Sequence, residues 1–192
     1  EVRRNIKMAD EQRKAVQTAL TSGVSIITGG PGTGKTMIQR AILEIYKKHN
    51  PYKQICCCAP TGRAARRMFQ STGNEANTVH KVLNLKANDD GSYSEPTKIE
   101  ADLIIIDEVS MLDIHLAGRL FDAVKNSAQI VLIGDADQLP SVGPGAVLSE
   151  LLLSEEIPYV RLDKVFRQSH GSRIAENAKL IRHGNLNLEY GD

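Results

Sequence analysis

The sequence predicts an α/β fold, a doubly wound and mostly parallel sheet with helices on both faces. Three observations carry that expectation. Short apolar runs alternate with helical patterns along the 192 residues. One run, Leu103-Ile104-Ile105-Ile106, is apolar at every position, which suits a strand covered on both faces. A glycine-rich turn, Gly29-Gly30-Pro31-Gly32-Thr33-Gly34-Lys35-Thr36, links an apolar run to a helical pattern in strand–loop–helix order.

The elements follow in order. Ala9-Asp10-Glu11-Gln12 reads as an N-capped start to a helix over residues 10–22, and the apolar run after it predicts a strand over 25–28. A helix over 35–48, a strand over 54–59 and a helix over 62–70 come next. The strand over 103–107 precedes a helix over 113–126, a strand over 130–134, a helix over 145–153 and a strand over 159–162. A last helical pattern covers 172–183. The alternation is broken at residues 87–98, a polar stretch containing Asn88-Asp89-Asp90-Gly91-Ser92. Asp-Gly is a strong hairpin-turn signal, so this segment reads as a small protruding hairpin. Cys56-Cys57-Cys58 fall inside a predicted strand. Their side chains alternate faces there, so they are read as small buried residues that neither converge on a metal nor pair with one another.

Composition narrows the function classes. The chain is 41% hydrophobic and 24% charged, the balance of one ordinary globular domain, and it is read as a single domain over 1–192 with 87–98 inserted. Twenty-four basic residues oppose 23 acidic ones, a formal charge of +1, so charge alone does not announce a nucleic-acid binder. No apolar run approaches the ~18 residues of a membrane span, and Glu1-Val2-Arg3-Arg4 is no signal peptide, so a cytoplasmic protein without membrane partners is expected. The last helical pattern runs into residues 185–192 without obvious completion, which reads as a fragment boundary.

The chemistry is concentrated in a few segments. The 29–36 loop fits G-x-x-x-x-G-K-[ST] without mismatch. Its glycines let backbone N–H groups turn toward a polyphosphate at a helix N-terminus that already favours anions. Lys35 would reach the β- and γ-phosphates and the Thr36 hydroxyl would hold Mg²⁺. Asp107-Glu108, at the end of an apolar strand, supplies a carboxylate for the metal and a general base for the attacking water. Gln138, after the next strand, can contact the γ-phosphate. Pro60-Thr61-Gly62-Arg63 opens a helix carrying Arg66 and Arg67 as well, a combination suited to a phosphate backbone. Thr78 and His80 form a weaker candidate of the same kind. Arg167, past the last strand, could clamp a γ-phosphate, and the Gln12 amide could hydrogen-bond both edges of an adenine.

In this order the segments resemble the first motor domain of a superfamily 1 helicase, of the RecD-like (exodeoxyribonuclease V alpha-subunit) branch, over nearly the whole chain from Asp10 to Arg167. The combination of Ala-Pro-Thr-Gly-Arg-Ala-Ala, Asp-Glu-Val-Ser-Met and Gly-Asp-Ala-Asp-Gln-Leu-Pro carries the resemblance; generic P-loop kinases and GTPases do not have it together. It implies a RecA-like domain that binds ATP and Mg²⁺, with Gln12 reading adenine, residues 29–36 holding phosphate, and Glu108, Gln138 and Arg167 acting on the terminal phosphate. Pro60, Thr61, Gly62, Arg63, Thr78 and His80 would meet single-stranded DNA, weakly for this chain alone. It also implies 5′→3′ translocation in recombination or repair, a second RecA-like domain of the same polypeptide, and possible assembly with nuclease-complex subunits. The 87–98 hairpin, presenting Tyr93, corresponds to the strand-separating pin of such enzymes. Nothing after Arg167 resembles the second domain's motifs, so this chain by itself is expected to bind ATP but not to unwind. The competing readings are the helicase domain of a conjugative relaxase, another superfamily 1B enzyme, or a non-motor ATP-dependent switch.

Overall fold

A computed structural model describes residues 8–88 and 93–164, together with 177, 180, 181 and 184. Within them lie strands β1 (Val24–Gly29), β2 (Ile55–Ala59), β3 (Ala76–Thr78), β4 (Leu103–Ile106), β5 (Gln129–Gly134) and β6 (Tyr159–Leu162). The helices are α1 (Asp10–Thr21), α2 (Lys35–His49), α3 (Gly62–Thr72), α4 (Val79–Val82), α5 (Ile114–Ala123) and α6 (Val147–Leu153). The strands form one sheet in the order β3-β2-β4-β5-β1-β6, and every pairing is parallel. The expected doubly wound α/β architecture is therefore the observed one, and the sheet is entirely parallel rather than mostly so.

Strand alternation sends side chains to two separate cores. Ile26, Ile104, Ile106, Ile130 and Leu132 pack with Leu116 and Leu120 of α5 and Leu148 of α6. Ile27, Leu103, Ile105, Val131 and Ile133 pack on the other face with Ala15 of α1, Ile38 and Ile42 of α2 and Met68 of α3. All four residues of β4 are fully buried, which explains why no polar residue interrupts that run. Each such aliphatic side chain contributes roughly 1.5–3 kcal/mol by leaving water.

The differences from the sequence expectation have local causes. Residues 76–78 and 79–82 lacked an apolar signal, because β3 is a three-residue, half-buried edge strand and α4 a single turn. Asp113 caps α5 instead of joining it, its Oδ1 accepting from the Leu116 N–H at 2.9 Å. That helix stops at Ala123, where Val124 turns extended to bridge Ile99. The predicted start of α6 at Gly145 is displaced to Val147, since Gly145 sits at φ +91°. The three cysteines alternate as expected: Cys57 faces one core, where burial pushes its thiol up to about 12, and Cys56 and Cys58 face the other, Cys56 being only half-buried. The helical pattern over 172–183 lies largely outside the described residues.

At the amino-terminal end of the sheet, Asp102 accepts from the Gln54 N–H at 2.8 Å and from Lys53 and Lys125, each at 3.0 Å. The Gln54 backbone bond first, then the two lysines, hold its carboxyl well below the usual carboxylate range.

Candidate functional site

Parallel pairing brings three strand ends together. β5 lies between β1 and β4, with Thr28 level with Gly134 and Ile106 level with Leu132. The residues that follow each strand therefore converge on one opening: the glycine loop after β1, Asp107-Glu108 after β4, and residues 135–138 after β5. Gly29 and Gly134 are required at the strand ends. A Cβ on Gly29 would lie 2.8 Å from Leu162 Cβ, and one on Gly134 would lie 2.7 Å from Leu148 Cδ2.

The loop is pinned from beneath. Gln12, only 2% exposed, donates from Nε2 to the Thr33 carbonyl at 3.0 Å, while its Oε1 accepts from the Ala9 N–H at 3.0 Å. Thr33 Oγ1 donates to the Gly30 carbonyl at 2.8 Å. Gly34 has φ +94° and lies so close over the amide that a Cβ would approach Gln12 Nε2 to 2.5 Å. Both ends of the Gln12 amide are thus engaged inside the protein. These two bonds fasten α1 to the phosphate loop, and each end of the primary amide keeps a second hydrogen or lone pair beyond them.

Lys35, on the first turn of α2, donates from Nζ to the Gly29 carbonyl and, at 3.1 Å, to that of Gly30. Burial lowers its pKa, opposed by the carboxylates of Asp135, Glu108 and Asp107. Asp107 Oδ1 accepts from the Glu108 N–H at 2.9 Å, which fixes the turn leaving β4. Glu108 adopts a left-handed conformation, φ 54° and ψ 43°, unusual for a residue with a Cβ and a conformation that aims its side chain back into the opening. Its Oε2 is buried with no hydrogen-bond partner, and burial, with Asp107 next, raises its pKa against the counter-effect of Lys35 and Arg67. Asp135, 2% exposed, accepts from the Asp137 N–H at 3.1 Å and from Gln138 Nε2 at 3.3 Å, so it aims Gln138 at the same opening.

These groups line one cavity of about 490 Å³: Gly30, Pro31, Gly32, Gly34, Lys35, Thr36, Asp107, Glu108 and Gln138, with Arg67 on the α3 wall. The donor set fits the groups the sequence implied. A half-buried cation and helix N–H groups suit a polyphosphate, and a hydroxyl and a carboxylate lining the same cavity suit a small hard cation such as Mg²⁺. In the sequence Arg67 counts only toward the positive potential of its helix; the structure puts it in the lining of this cavity, while Arg66, its neighbour in the chain, lines a different groove. Arg167 lies outside the described residues.

The second candidate patch is adjacent. β2 and β3 pair with Ala59 level with Thr78, so Pro60, Thr61 and Gly62 meet Thr78 at the same sheet edge. A Cβ on Gly62 would stand 4.0 Å from Thr78 Cγ2. Both threonine hydroxyls also cap helices, Thr61 accepting from the Ala64 N–H and Thr78 from the Lys81 N–H, each at 3.2 Å. Arg66 lines a small groove with Gly62 and Thr78. His80 turns away from that groove, its ring 5.5 Å from that of Tyr93. The segment that carries Tyr93 closes on itself through an antiparallel Ala87–Tyr93 bridge and a Ser94 N–H bond to the Lys86 carbonyl at 2.9 Å; residues 89–92 lie outside the described residues.

A RecA-like sheet with a glycine loop, a carboxylate pair and a glutamine at neighbouring strand ends defines a P-loop nucleotide-binding domain. The chain belongs to the AAA domain family, whose model matches residues 7–190. It is 35% identical over 198 residues to the RecBCD enzyme subunit RecD of Mycobacterium tuberculosis, covering 91% of this chain and 34% of that one. It is 35% identical over 178 residues to the ATP-dependent RecD2 DNA helicase of Deinococcus radiodurans, covering 92% of this chain and 24% of that one. The chain thus spans only 34% and 24% of the length of these two relatives. Among solved structures, the Pif1 helicase from Candida albicans superposes with a TM-score of 0.68 at 27% identity, over 94% of this chain and 45% of that one. Bacteroides Pif1 bound to ssDNA shares the fold, with a TM-score of 0.64 at 21% identity over 93% of this chain and 46% of that one. Family membership carries nucleotide binding with it. Among the described residues no helix is long and apolar enough to cross a membrane.

Proposed function

We propose that this chain is the ATP-binding motor domain of an ATP-dependent DNA helicase that translocates 5′→3′ along single-stranded DNA in recombination or repair in the cytoplasm. The observation that carries the reading is Glu108, a half-buried carboxylate with an unpartnered oxygen, in one cavity with the loop lysine. Lys35 exchanges its loop carbonyls for the β- and γ-phosphates of ATP. Thr36 and Asp107 would hold Mg²⁺, which, when bound, offsets phosphate charge and polarises the terminal group. Glu108, whose raised pKa makes it a better proton acceptor than an exposed glutamate, takes the proton of the attacking water. Gln138, aimed by Asp135, senses the terminal phosphate. Pro60, Thr61, Gly62, Arg63 and Thr78 meet the DNA backbone, and a contact of this size with a near-neutral domain is weak and salt-dependent.

The 87–98 hairpin separates strands at the fork, and a second RecA-like domain completes the ATP cleft, as the greater length of the relatives supports. On this reading the complete enzyme can work with nuclease subunits, and the present chain alone binds ATP while turning it over slowly. The test is Glu108→Gln in the complete enzyme: ATP binding persists and turnover falls by roughly 10²–10⁴. Undiminished turnover refutes the assignment. Exchanging residues 87–98 for a Gly-Ser link separates the pin role, since unaltered unwinding with unaltered DNA-stimulated turnover refutes it.

A further inference from the structure

α3 bears three arginines, and the helix surface divides them. Arg66 lines the groove with Gly62 and Thr78, whereas Arg67, about 100° further round, lines the phosphate cavity with Lys35, Glu108 and Gln138. The helix is anchored between these two surfaces by Ala64, Ala65 and Met68, all buried, so Arg67 projects from a fixed base. The other arginine on the cavity wall, Arg40, is already held by Glu44 at 2.7 Å. Among the described residues no hydrogen bond or ion pair engages the Arg67 guanidinium, which is exposed to the opening. Its charge is nevertheless felt at the centre of the site, where it acts on both Lys35 and Glu108. The Arg67 guanidinium therefore shares one cavity with Lys35, Glu108 and Gln138 but is borne on α3, an element separate from the phosphate loop.

We propose that Arg67 is a ligand of the γ-phosphate, gripping it from α3 while Lys35 grips it from the loop. This rests on the reading of the cavity as an ATP site. A planar guanidinium suits the contact, because it can offer two parallel N–H donors to two phosphate oxygens. ADP lacks that group, so the residue discriminates between the two nucleotides. It also makes α3, whose first turn holds the proposed DNA-contacting Gly62 and Arg63, the element that carries the nucleotide state to the DNA-facing edge.

The experiment is equilibrium binding of ATP and of ADP, each with Mg²⁺, to the full 192-residue chain and its variants. Arg67→Ala should weaken ATP by roughly 10- to 100-fold, the range for one charge-assisted contact, and leave ADP within about twofold. Arg67→Lys should restore part of the ATP affinity. Gln70→Ala, exposed on the same helix, should alter neither, and the melting temperatures without nucleotide should coincide. Equal weakening of ATP and ADP, or no weakening, overturns the proposal. Lys35→Ala is the separate control on the site: if it binds both nucleotides as well as the unmodified chain does, the ATP reading of the cavity fails, whatever Arg67 does.

Discussion

Replacing Gln12 by alanine separates the two jobs a glutamine at this position could have. The side chain is 2% exposed and makes two bonds, to the Thr33 carbonyl and from the Ala9 N–H, each at 3.0 Å. Thr33 is itself 2% exposed, so its orphaned carbonyl bears a desolvation cost of about 1–3 kcal/mol. The Ala9 N–H is half-buried and can turn to water, adding roughly 0.5 kcal/mol. The space left beneath Gly34 adds a cavity cost, for a total of about 2–4 kcal/mol. For a chain of this size that lowers the melting temperature by roughly 4–16 °C. The loop then loses its floor, so binding of every nucleoside triphosphate weakens together. The assay is calorimetric melting alongside competition binding of ATP and GTP. A variant that melts within about 1 °C of the parent and loses ATP but not GTP refutes the reasoning and restores Gln12 as a reader of adenine.

Other outcomes follow from the same geometry. Gly34→Ala combines φ +94° with a 2.5 Å approach to Gln12 Nε2, and should destabilise by about 1–3 kcal/mol and abolish nucleotide binding, read by melting and titration. Asp102 has a folded pKa below its unfolded one, so its contribution is complete above the ordinary carboxylate range and is lost as pH falls through the folded pKa. Asp102→Asn should therefore flatten the acid limb of stability, measured as urea midpoints from pH 7 downward. Glu108 shifts the other way, so its contribution is present below the unfolded pKa and is lost as pH rises through the folded one. Glu108→Gln should accordingly raise the melting temperature at neutral pH and not in acid, while removing turnover. Single-stranded DNA that tightens ATP binding should do so less in Arg67→Ala, because coupling between two ligands is reciprocal.

Local signals were sufficient for most of the frame. Leu103-Ile104-Ile105-Ile106 announced a two-sided strand because a continuous apolar run has few other uses, and it is buried at every position. The 29–36 loop was legible because backbone geometry demands glycine at fixed offsets, and Gly32 and Gly34 do take positive φ. Asp107-Glu108 and Gln138 could be assigned to the same site because a parallel sheet delivers all its strand ends to one edge. By contrast, β3 had too few residues and too little burial to leave a pattern.

The sequence by itself determined the parallel α/β frame, the phosphate loop and the carboxylate pair, since each is written in contiguous residues whose spacing is set by backbone geometry. Which partner a side chain finds across the fold was decided only in three dimensions. Gln12 meets Thr33 from twenty-one positions away, and Arg66 and Arg67, neighbours in the chain, face different sites. Long polar side chains have several possible partners at similar energies, and only the packing of α1 under the loop and of α3 beside it selects among them.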